Sequence, residues 1–95
     1  MEFKIGDTVH WESQAAGRWT KKSGKVVMVI TAEQAKHKPV CRMVAEQFPN
    51  SKRMFDGMNL PGRGTKVAYV VEVVTGPKAA PRLYLPYPSK LMPGA

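Results

Sequence analysis

No unbroken apolar run in this chain exceeds five residues, and the strongest, Val26-Val27-Met28-Val29-Ile30, is almost wholly β-branched. A run that short cannot cross a bilayer, which takes about 20 apolar residues. Its β-branched side chains suit a pleated strand. It is apolar at odd and even positions alike, as expected of a central strand covered on both faces. Val67-Ala68-Tyr69-Val70-Val71-Glu72-Val73-Val74 reads the same way.

Weaker strand signals flank these two. Val9 and Trp11 alternate with Thr8, His10 and Glu12, the period of a half-buried strand. Gly6-Asp7 precedes it as a turn, with Asp7 placed to bond neighbouring backbone. Arg82-Leu83-Tyr84-Leu85 is a short strand between Pro81 and Pro86, and Pro88 to Leu91 suits a last turn or an edge strand. The alternation gives a core of Val9, Trp11, Val26, Met28, Ile30, Tyr69, Val71, Val73, Leu83 and Leu85. Arg82 and Tyr84 fall on the outward face of their strand.

The links are rich in turn formers, since Gly and Pro together supply 16 of the 95 residues. Ser13 to Gly24 is polar and basic without apolar period, so a long loop is expected. Thr31 to Gln34 has capping-box spacing for a helical turn that Pro39 must limit. Val40 to Phe48 fits a short amphipathic helix through Val40, Val44 and Phe48, or a loosely alternating strand. Lys52 to Thr65, with Asp56-Gly57 and Pro61-Gly62-Arg63-Gly64, reads as loop. The expected fold is therefore mainly β. It is a single domain over 1–95, a small barrel of four to five strands with an irregular or partly helical insertion at about 32–65.

Charge is the strongest compositional signal. Fifteen Lys and Arg against seven Asp and Glu give +8 and a sequence pI near 9.9. Such a field attracts polyanions, which makes nucleic acid (RNA or DNA) or an acidic protein surface the expected partner. Cys41 is the single cysteine, so an intrachain disulfide is impossible, and it reads as a small buried apolar residue. Met1 to Asp7 has no basic stretch followed by an apolar core, so the expected location is the cytoplasm, as a monomer.

At this point Ile5-Gly6-Asp7-Thr8-Val9-His10-Trp11, with Gly24-Lys25-Val26-Val27-Met28-Val29-Ile30, resembles the opening of SH3-like barrels of the Tudor and KOW type. The closing stretch, Tyr69 to Val73 and Arg82 to Leu91, is similar to small, largely uncharacterised bacterial and phage-type proteins with this barrel. The resemblance covers about 50 residues in two blocks and leaves out roughly 32 to 65. It implies a binding module, since such barrels take nucleic acid, ribosomal RNA, peptides or methylated side chains. A methyl-lysine cage would need Trp11, Trp19, Tyr84 and Tyr87 to converge.

Catalysis has little to stand on. His37 and Cys41 are four residues apart, but Pro39 lies between them and no orienting group is evident. No carboxylate pair or metal-ligand cluster stands out, so no enzyme activity, cofactor or metal is expected. The best constellation is Arg18-Trp19-Thr20-Lys21-Lys22, where cations surround an indole. Cations meet phosphates and the ring stacks an unpaired base; alternatively Trp19 tucks onto the end of the barrel. Lys52, Arg53 and Arg63 extend the patch if the insertion folds back, and Arg82 with Tyr84 offers a second pair. The expected function is nucleic-acid binding through this Lys/Arg patch, or else protein interaction as an adaptor or inhibitor.

Overall fold

The computed structural model describes residues 3–15, 17–55, 60, 64–74 and 80–94. Its spine is β2 (Arg18–Thr31), which pairs antiparallel with β1 (Thr8–Ala15) through residues 18–25. Through residues 25–31 the same strand pairs with β4 (Val67–Val73), also antiparallel. β5 (Arg82–Tyr84) lies antiparallel on β4, and β3 (Lys52–Arg53) lies parallel to β5. A single 3-10 turn, Pro88–Lys90, leads to β6 (Met92–Pro93), which returns to pair with β1. The sheet order is β3-β5-β4-β2-β1-β6.

The chain is mainly β, as expected, and its two apolar runs are the central strands. The sheet has six strands, however, and it is mixed and open rather than a closed barrel of four to five. Both edges are two residues long, and Pro93 in β6 has no N–H to carry a ladder further.

Both faces of the spine are covered along its second half, residues 26–31. Val26 pairs with Val71, and a bulge at Val27 then resets the register so that Met28 pairs with Val70. On one side, here the aromatic face, lie Phe3, Val9, Trp11, Val26, Tyr69, Val71 and Leu91. On the other, the helix face, Ile30, Val70 and Leu83 pack against Val40 and Val44. Fully burying one such aliphatic side chain contributes about 1.5–3 kcal/mol. Of the expected core, Met28, Val73 and Leu85 are only half-buried, while Phe3, Val40, Val44, Ala68, Val70 and Leu91 were not foreseen. Selecting alternate positions discards half of any strand that is covered on both sides.

The insertion is partly helical. α1 (Ala32–His37) opens on the capping box: the Thr31 amide donates to Gln34 Oε1 at 2.9 Å, and the Gln34 amide donates to Thr31 Oγ1 at 3.2 Å. It stops at His37 because Lys38, preceding Pro39, is extended. α2 (Val40–Gln47) settles the open choice over 40–48 in favour of a helix, with Val40 and Val44 buried one turn apart. Asp7 serves its turn as expected, its Oδ2 accepting from the Lys4 amide at 2.8 Å.

Ser13 to Gly24 is not a loop. It forms the distal half of a β-hairpin, with Ser13 opposite Thr20 and Ala15 opposite Arg18. Gly17, at φ +78°, supplies the left-handed residue that so tight a connection needs. Arg18 to Lys21 are all exposed, so the ladder there carries no apolar alternation to read.

Candidate nucleic-acid interface

Register sorts the basic residues onto faces. Lys22 is opposite Trp11, whose ring is buried on the aromatic face, so Lys22 and Arg18, four residues before it, lie on that side. Tyr84 is opposite Val71 and Arg82 opposite Val73, which puts both on the same side. Lys52 is opposite Arg82, so it joins them. The expected site residues Arg18, Lys22, Lys52, Arg82 and Tyr84 therefore share one face, carried by the three strands β2, β3 and β5.

The geometry there is specific. The Tyr84 ring meets the Trp11 ring edge-on with centroids 5.7 Å apart. Lys22 Nζ stands 5.2 Å from the Tyr84 ring centroid, which holds the ammonium over the sheet. Arg82 and Tyr84 are half-buried and turned toward the aromatic core, not on an outward face.

Among the described residues, no strand carboxylate stands on this face. Glu12 is opposite Lys21, and Glu72 is opposite both Lys25 and Leu83, which places both on the other side. Glu33 and Glu46 belong to the helices, where they meet His37 at 3.5 Å and the pair Lys38 and Arg42. Lys38 donates a hydrogen bond to Glu46, and this, more than the nearby Arg42 charge, holds the Glu46 carboxyl below its ordinary range. Among the described residues, no ion pair involves Arg18, Lys21, Lys22, Lys52 or Arg82.

Three expected site residues fall elsewhere. Arg53, opposite Leu83, points to the helix face, and its Nη1 donates to the Cys41 carbonyl at 2.9 Å. Its neighbour in sequence shares the basic face, but period-2 alternation sends Arg53 to a structural bond. Lys21 and Trp19 lie on the opposite side of the ribbon from Lys22. Arg63 lies outside the described residues. His37 and Cys41 sit on separate helices either side of Pro39.

Trp19 does not tuck onto the sheet; it is 64% exposed. It borders a groove of about 340 Å³ with Trp11, Glu12, Pro86, Tyr87 and Lys90. An adjoining hollow adds Ser89 and Met92. Tyr87 is 50% exposed, and Lys90 Nζ lies 5.5 Å from its ring centroid. Trp11, Trp19 and Tyr87 thus meet at one groove, while Tyr84 packs behind Trp11. Sequence reasoning named Tyr87 only as a member of a possible aromatic cage, and it missed Lys90 and Met92. The available signal was Pro86-Tyr87-Pro88, a ring that the flanking prolines keep out of any ladder.

No protein-family model, curated protein or solved structure matches the chain.

Proposed function

We propose that the protein is a nucleic-acid-binding module whose phosphate contacts come from Arg18, Lys22, Arg82 and Lys52. The observation that carries this is the one-sided sorting of charge: these cations share a face on which no described strand carboxylate stands, and among the described residues none is ion-paired. Each cation that meets a phosphate releases a condensed counterion, so affinity comes chiefly from salt-dependent entropy. Tyr84 pre-positions Lys22, lowering the ordering cost of one contact.

We also propose that the frame is an opened relative of SH3-like barrels. Support comes from the meander β1, β2, β4, β5, β6, whose last strand returns to the first, with the helices and β3 inserted between its second and third members.

The test is affinity for a short RNA or DNA oligonucleotide across a salt series. Four phosphate contacts give a slope of log K against log salt of about −3 for single strands, at roughly −0.7 per contact. An acidic protein partner would instead be captured from nuclease-treated lysate.

A further inference from the structure

We propose that the groove between Trp19 and Tyr87 holds an unpaired base of a single strand, and that Glu12 selects bases carrying an exocyclic amino group. This rests on the nucleic-acid reading above and adds a second, chemically different contact to it.

Two observations converge. Trp19 and Tyr87, two of the most exposed large apolar side chains among the described residues, border the same groove. Exposed rings in a soluble domain lose nothing by being covered, and every base offers a π-face to cover them. The groove's volume, about 340 Å³, lies at the small end of ligand sites, matching one nucleotide better than a larger ligand.

Glu12 gives the groove its selectivity. Glu12 borders both hollows, yet among the described residues its carboxylate makes no hydrogen bond and no ion pair. A carboxylate only accepts. Cytosine N4 and adenine N6 offer amino donors, whereas uracil and thymine present a carbonyl at that position. A bare acid on a phosphate-binding protein is otherwise a cost, because it repels the backbone. Lys21, its cross-strand partner, and Lys90 flank it and offset that repulsion.

Lys90 supplies the moving part. Its ammonium lies over the Tyr87 ring, where a base would stack. Both residues are exposed, so that contact is weak and solvent-screened, and a base displaces it. The freed ammonium then meets the phosphate of the same nucleotide.

The groove is also joined to the basic face. Trp11 borders the groove and touches Tyr84, over which Lys22 stands.

The test measures binding of end-labelled octamers of adenosine, cytidine and uridine at low salt, with a duplex of equal length. The A and C octamers are expected to bind at least about fivefold tighter than the U octamer, and tighter than the duplex. Trp19→Ala should weaken A-octamer binding by about five- to a hundredfold, the range of one lost base stack, without changing the salt slope. Glu12→Gln, whose amide both donates and accepts, should bring the A-to-U ratio to within about twofold. Both side chains are exposed, so folding is retained and is checked by circular dichroism. Equal binding of A, C and U octamers, or no effect of Trp19→Ala, overturns the inference while leaving the basic-face reading intact. Failure of the unmodified protein to bind any octamer removes both.

Discussion

The rings of Trp11 and Tyr84 meet edge-on with centroids 5.7 Å apart, although β2 and β4 lie between their strands. Across a flat sheet, strands three places apart are separated by about 14 Å. Their contact means that the open sheet curls over its aromatic face, bringing the groove beside the basic row. Such ring pairs are worth about 0.5–1.5 kcal/mol beyond burial. A double-mutant cycle of Trp11→Leu and Tyr84→Leu, read by urea unfolding, should return a coupling of about that size. Additive losses would mean that the rings stabilise the fold independently.

Charge removal should separate contact residues from structural ones. Lys22→Ala, Arg82→Ala or Lys52→Ala should each flatten the salt slope for a single strand by about 0.7. Arg53→Ala should leave the slope unchanged but lower stability by about 1 kcal/mol, since its guanidinium holds the Cys41 carbonyl in an exposed position. Parallel salt titrations and thermal melts of the four variants check this.

Gly24 is required for close approach. A Cβ there would run into the Glu72 carbonyl oxygen and stand 2.9 Å from Val71 Cγ1. Gly24→Ala should therefore destabilise by about 1–3 kcal/mol or more through overpacking between β2 and β4. Gly17→Ala has open space around it and should cost only the strain of its left-handed backbone. Chemical denaturation of both variants compares the two costs.

The helical insertion should carry an acid-sensitive contact. Lys38 lowers the Glu46 carboxyl below its ordinary 4.5, first through the hydrogen bond and then through charge. A carboxyl lowered on folding stabilises the native state above its unfolded value, and the gain is lost as pH falls through the folded value. Urea midpoints of the unmodified protein and Lys38→Met should differ near pH 6 and converge below pH 4.5. A constant difference across that range would contradict the assignment.

Parts of this were legible in the sequence and parts were not. Val26 to Ile30 and Val67 to Val73 announced central strands, because apolar residues at odd and even positions alike leave little polar face. The Thr31 to Gln34 spacing announced its cap, because that motif is closed by local bonds alone. The distal hairpin was invisible: Arg18 to Lys21 are exposed on both sides of the ribbon, and the backbone ladder leaves no mark on composition. The membership of the basic face was only half legible. Which of Lys52 and Arg53 reaches it depends on pairing with Arg82 and Leu83, thirty residues away. Tyr87 could be named beside Trp11 and Trp19 from the sequence, but whether they converge depends on how the segment after β5 crosses to β1.

The most direct test of the central claim is a heteronuclear NMR titration with a short single-stranded oligonucleotide at two salt concentrations. The expected result is shifts at residues 18, 22, 52, 82 and 84 that grow as salt falls, with the amides of α1 and α2 unmoved. No shifts at low salt, or shifts confined to the helix face, would contradict a nucleic-acid-binding basic face.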